Sequence, residues 1–183
     1  MRLLVAAVAG TMLVSGTAGA SVAGKAKKVS TEKYAKVVCA NYTGATDAVN
    51  AFIDAYNGNT SDDPVVFQGE VLVLGDELGT DLAQLEAKLK KAYPDIDDGK
   101  KIAKTFVAGV KQVRTEIETA LEEFATADPN GVAFQADIST LQVSINLLDI
   151  KRDDPFSALD DQDLLQAFGD EKSCEDVVTI FGA

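Results

Sequence analysis

The chain has 183 residues, the length of one domain with a single core, and a formal net charge of −12. This charge repels phosphates and anionic lipid surfaces, so we expect neither nucleic acid nor a membrane surface as a partner. The sequence contains no histidine, which excludes Ser–His and Cys–His catalysis and histidine-bound zinc.

Residues 1–20 have the features of a secretory signal peptide. Arg2 precedes an uncharged, mostly apolar stretch that ends in Ala18-Gly19-Ala20, the small-residue pattern that signal peptidase cleaves. We therefore predict Ser21 as the mature N-terminus, with cleavage after Ala23 as the alternative, and a secreted or extracytoplasmic location.

An uncleaved membrane anchor is the alternative for this segment. Residues 3–24 carry no charge, and their length would suffice to span a bilayer. The mature chain contains no second apolar stretch long enough to span one. Residues 21–30 are expected to form a flexible lead before a single domain at 31–183.

Four segments carry apolar residues three and four positions apart, the spacing of amphipathic helices. Short polar connections, two of them with Asp-Pro pairs, separate these segments, so successive helices become antiparallel neighbours. The sequence therefore predicts an all-α fold, an up-down-up-down four-helix bundle with a short helical C-terminal segment packed on it. The predicted helices cover residues 31–57, 64–92, 98–127, 131–150, 157–168 and 174–181.

The second helix has a competing interpretation. Two short apolar runs, residues 65–67 and 71–74, flank Gln68-Gly69, and such runs can form a hairpin. The apolar spacing continues to Leu89, which favours a helix. The predicted core of the bundle comprises Phe52, Phe67, Leu78, Leu85, Phe106, Ile117, Phe124, Ile138 and Ile145.

The only cysteines are Cys39 and Cys174. In an exported chain an isolated pair predicts one structural disulfide. This bond would close a loop that includes most of the mature chain.

A calcium loop is suggested weakly by Asp95, Asp97 and Asp98. In an EF-hand count from Asp95, however, Phe106 falls at position twelve, where a glutamate is required. These aspartates are a weak metal candidate, and we predict neither a metal nor a cofactor. A haem would need tyrosine or a free cysteine as its axial ligand, but most of the tyrosines lie on the apolar stripe of the first helix.

Charge is distributed unevenly over the predicted bundle. The half that contains the start of the first and third helices has a net charge of +4, the opposite half −11, and the tail from Phe156 −6. We consider two roles for the acidic tail. It either completes the core, or it covers the basic half until an anionic partner displaces it.

No motif indicates a reaction, so we expect no enzyme. The favoured hypothesis is an exported, non-catalytic binding or interaction protein, whose partner is an unknown protein or small molecule. Its predicted surfaces are the acidic half and the apolar residues Val65, Val66, Leu72 and Val73. The alternative is a carrier of an apolar small ligand in the bundle core. An enclosed cavity would favour the carrier, whereas a filled core with exposed valines would favour the interaction protein.

Overall fold

The computed structural model describes residues 25–147 and 159–175. In these residues the chain forms five α-helices, two short strands and one turn of 3-10 helix, which confirms the predicted all-α fold. The helices are α1 (Thr31–Gly58), α2 (Pro64–Leu89), α3 (Gly99–Ala125), α4 (Phe134–Leu147) and α5 (Gln162–Asp170). The remaining elements are β1 (Lys27–Val29), β2 (Ala92–Pro94) and the 3-10 turn Lys172–Cys174.

Several predicted features lie outside the described residues. They are the signal peptide (1–20), the mature N-terminus Ser21, the last residues of the fourth predicted helix (148–150) and most of the final one (176–181).

Helix α2 begins at an aspartate-proline pair. The Asp63 carboxylate accepts hydrogen bonds from the backbone N–H groups of Val65 (2.9 Å) and Val66 (3.3 Å). Pro64 needs no hydrogen-bond partner in the first turn, because it has no N–H. The helix then continues without a break to Leu89, so the hairpin interpretation is wrong.

Gln68, at the centre of the rejected hairpin, instead joins two helices. Its side-chain amide donates to the backbone carbonyls of Phe124 and Ala127, each at 2.9 Å. Phe124 lies in the last turn of α3 and Ala127 two residues beyond it, where backbone carbonyls lack the N–H groups of a following helical turn. The amide therefore caps α3 from α2.

Two predicted helix starts are corrected by the structure. The tail helix was expected over 157–168 but begins at Gln162, because the Asp161 carboxylate caps it through the Leu164 N–H at 2.9 Å. The fourth helix was expected from residue 131 but begins at Phe134, because the Asp128 carboxylate folds the preceding residues into a turn through the Asn130 N–H at 3.0 Å.

Successive helices pack against one another, with α1 against α2, α2 against α3 and α3 against α4, and α5 packs on α1. Six of the nine predicted core residues are buried: Phe52, Leu78, Phe106, Ile117, Phe124 and Ile145. The other three, Phe67, Leu85 and Ile138, are only partly buried. In the turn that contains Leu85, the neighbouring Glu86 takes the buried position.

The predicted flexible lead is wrong for Lys27–Val29, which forms a parallel pair with Ala92–Pro94. The Lys27 N–H donates to the Lys91 carbonyl at 2.9 Å, and the Asp95 N–H donates to the Val29 carbonyl at 2.8 Å. This pairing also explains why α2 ends at Leu89 rather than at residue 92. The chain must extend there to form β2.

The tail is attached to α1 by packing and by a covalent bond. Cys39 and Cys174 form a disulfide, with their Cα atoms 5.0 Å apart, within the usual range for a disulfide. Leu164 and Phe168 of α5 are buried in the core. In the part of the chain that the structure describes, no helix has both the length and the apolar character needed to cross a membrane.

Candidate functional site

An open groove lies where the end of α1 meets the start of α2. It has a volume of about 800 Å³ and is lined mainly by small or apolar residues. We call it the α1–α2 groove and define it by Ala55, Gly58, Val65, Val66, Gly69 and Val73. Within the loop between the two helices, the Asn59 side-chain oxygen accepts from the Ser61 N–H at 3.0 Å, and Asp63 caps α2. These hydrogen bonds hold the loop that closes one end of the groove.

Three of the valines predicted as a surface lie in this groove and are exposed. Their exposed fractions are 52% for Val65, 46% for Val66 and 60% for Val73. Residues four apart lie on one face of a helix, so Val65, Gly69 and Val73 follow one another along the groove. Large apolar side chains exposed together are more informative than single ones, because contiguous apolar patches mark binding surfaces.

Leu72 was predicted to belong to the same surface, and this is wrong. It lines a second groove, between α2 and α3, together with Gly75 and Leu121. Successive side chains of a helix are about 100° apart around its axis, so Leu72 points in a different direction from its neighbour Val73. It is partly buried and packs against the core.

The α1–α2 groove lies in a strongly acidic part of the chain. No lysine or arginine occurs between Lys36 and Lys88. Glu70 lines the groove itself, and Asp54 and Asp62, next to lining residues in sequence, are exposed. The groove thus combines apolar side chains with the Glu70 carboxylate, in a stretch of the chain that contains no lysine or arginine.

Arg114 contributes little free positive charge to this acidic half. Its guanidinium forms ion pairs with Glu86 at 3.2 Å and with Glu118 at 2.8 Å. Glu86 is only 4% exposed and also pairs with Lys90. Burial alone would raise the pKa of Glu86, but the two cations outweigh it and lower that pKa below its ordinary value. Glu86 and Arg114 therefore form an ion-pair network that joins α2 to α3.

The weak metal candidates do not converge. Asp95 pairs with Lys28, and Asp98 has a left-handed backbone conformation (φ 57°) just before α3. Asp97 and Asp98 border a hollow beside the start of the tail. Among the described residues, no three side chains of metal-binding type are grouped as a metal site requires.

Aromatic rings fill the core near the disulfide. Phe106 has ring-centroid distances of 6.2 Å to Tyr34, 5.7 Å to Tyr42 and 5.7 Å to Phe168. The Tyr42 hydroxyl donates to the Phe106 carbonyl at 2.8 Å. Burial raises the pKa of Tyr34 well above its ordinary value, which disfavours the phenolate that a haem ligand would need.

Sequence reasoning identified the valines but missed the α1 side of the groove. Ala55 and Gly58 contribute that side, and nothing in their spacing distinguishes them from other small residues in α1. Gly69 was read only as a possible turn. The sequence signal at Gly69 is its position inside a long apolar repeat. A glycine there destabilises the helix, so its presence indicates a packing or functional role.

No protein-family model matches the chain, and no curated protein or solved structure is significantly similar to it.

Proposed function

We propose that the protein is an exported, non-catalytic interaction module whose binding surface is the α1–α2 groove. The observation that carries this proposal is the set of three valines, each about half exposed, in one open groove. Leaving them about half exposed forfeits part of the roughly 1.5–3 kcal/mol that full burial of each such side chain can provide. A partner that covers the groove would recover part of this free energy.

Export is supported by two independent features. Residues 1–20 have the pattern of a signal peptide, and the Cys39–Cys174 disulfide is of the kind that forms in oxidising compartments. Sequencing the N-terminus of protein recovered from the culture medium tests this part. We expect it to begin at Ser21.

The binding surface can be tested by site-specific photo-crosslinking in the cells that produce the protein. A photoreactive residue replaces Val73 in the groove or, as a matched control, Val143 on α4, which is 56% exposed. We expect a discrete adduct from position 73 and none from position 143. Gly69→Trp, which fills the groove, should abolish the adduct. Adducts from both positions, or from neither, would reject the groove as the binding surface.

A further inference from the structure

We infer that the α1–α2 groove receives a short cationic amphipathic segment of a partner protein, with apolar side chains over Gly69 and lysine or arginine side chains facing Glu70. This inference rests on the proposed function and adds the chemical class of the partner.

Gly69 is the first feature of the groove that supports a bound segment. A glycine inside a helix costs about 1 kcal/mol relative to alanine, and packing often requires it because a neighbour occupies the space. At Gly75, for example, a Cβ atom would lie 2.8 Å from Leu121 Cδ2. At Gly69, apart from the adjacent residues and the local backbone of the helix, no atom lies within 4 Å of that position, and the same holds for Gly58. Internal packing therefore does not require either glycine, and both leave the groove open.

The length of the groove along α2 also fits a helical segment. Val66 and Val73 are about 10 Å apart along α2, at 1.5 Å per residue. This length matches two turns of a partner helix, which would present apolar residues three and four positions apart. The groove is open along its side, so it suits a peptide segment rather than an enclosed small molecule.

The charge of the groove is complementary to that of a cationic segment. Glu70 lies in the groove, and no cation occurs in the sequence from Val37 to Ala87. An anionic membrane or a nucleic acid would be repelled, whereas lysine and arginine side chains flanking an apolar centre would be attracted. The groove thus favours a cationic protein segment over the other classes of macromolecule.

The probe for this inference is a fluorescein-labelled peptide of leucine and lysine arranged at helical spacing. Its controls are a leucine–glutamate peptide with the same spacing and a serine–lysine peptide with the same charge. Fluorescence anisotropy with the full mature protein measures affinity. We expect saturable binding of the leucine–lysine peptide, no binding of the leucine–glutamate peptide, and at least about tenfold weaker binding of the serine–lysine peptide.

Matched variants of the protein locate the binding site. Val66→Ser combined with Val73→Ser should weaken binding about tenfold, whereas Val143→Ser should not change it. Glu70→Lys should weaken binding about fivefold, whereas Glu123→Lys, the same charge change at an exposed site on α3, should have less than about half that effect. All five substituted positions are exposed, so circular dichroism should show unchanged folding.

Two outcomes would overturn the inference. If Glu70→Lys and Glu123→Lys weaken binding equally, the attraction comes from the overall charge and not from the groove. If position 73 yields a crosslinked adduct but the leucine–lysine peptide does not bind, the groove binds a partner of another class. In that second case the proposed function stands, whereas the loss of both signals rejects both.

Discussion

The glycines of α2 differ in what surrounds the place where a side chain would begin. At Gly75 that place is occupied by Leu121 of α3, with the Cδ2 atom at 2.8 Å and the Cγ atom at 3.1 Å. At Gly79, one turn later, the nearest atom is Glu118 Oε1 at 3.7 Å, an ordinary contact. Gly75 is therefore required for the close approach of α2 to α3, whereas Gly79 is not.

Gly75→Ala should lower the free energy of unfolding by about 1–3 kcal/mol, because the new methyl group overpacks against Leu121. Gly79→Ala should raise it by about 0.5–1 kcal/mol, because alanine favours the helix. Urea unfolding measures both. In a Leu121→Ala background the cost of Gly75→Ala should largely disappear. Equal stabilisation by the two alanines would show that α2 and α3 are not in close contact at Gly75.

Glu86 gives the stability of the protein a pH dependence of known sign. Its pKa is lower in the folded state than in the unfolded chain, so its contribution to stability is complete above the unfolded pKa of about 4.3. The contribution is lost as the pH falls through the folded pKa. Glu86 follows the predicted core residue Leu85 in the sequence. Its carboxylate joins α2 to α3 through Arg114.

Glu86→Gln should lower the free energy of unfolding by about 1–3 kcal/mol at pH 7, because it removes the charge that Lys90 and Arg114 compensate. The difference from the wild type should shrink as the pH falls below about 4. Urea unfolding at both pH values measures it, with the exposed Glu122→Gln as the control. A difference that does not depend on pH would mean that Glu86 does not act through its charge.

At the scale of elements, the apolar periodicity of the sequence predicted the four long helices. Long apolar stripes identified α1 to α4 correctly, because each helix must bury one face. The parallel pair of β1 and β2 was missed. Strands of three residues have no measurable period, and their pairing joins parts of the chain that are far apart in sequence. The α2 side of the α1–α2 groove was predicted, but the α1 side was not. The α1 side depends on how the two helices pack, which periodicity does not show.

The docking of α5 depends on Phe168, whose ring lies 5.7 Å from that of Phe106. Phe168→Ala should lower the free energy of unfolding by about 3–5 kcal/mol, because it leaves a cavity in the core. Leu165→Ala, on the more exposed side of the same helix, should cost markedly less. Hydrogen exchange should show faster exchange throughout α5 in the Phe168 variant alone. Similar costs for the two variants would contradict the observed orientation of α5.

At the scale of the whole molecule, the tail and the groove lie on different parts of the bundle. The groove is formed by the end of α1 and the start of α2, whereas the tail is bonded to Cys39 near the start of α1. The Glu171 carboxylate accepts hydrogen bonds from Ser173, which lower its pKa, and the charge of Lys36 lowers it further. Glu171 of the acidic tail thus lies near Lys36 of α1, while buried Leu164 and Phe168 support the role of the tail in completing the core.

The disulfide joins residues 135 positions apart in sequence, so it should restrict the unfolded chain more than the folded one. In the chain-entropy model a loop of this length contributes at most about 4–5 kcal/mol. Cys39→Ser combined with Cys174→Ser should therefore lower the free energy of unfolding by up to this amount, and the reduced wild type should behave alike. Because α5 still packs on α1 without the bond, unfolding should remain one transition, with fluorescence and circular dichroism curves that coincide.

The same variant tests the masking role of the tail, with inorganic polyphosphate as the anionic probe. If the tail completes the core, the variant should bind polyphosphate no better than the wild type does. Two separate transitions together with salt-sensitive polyphosphate binding would show instead that the tail detaches and covers a basic surface.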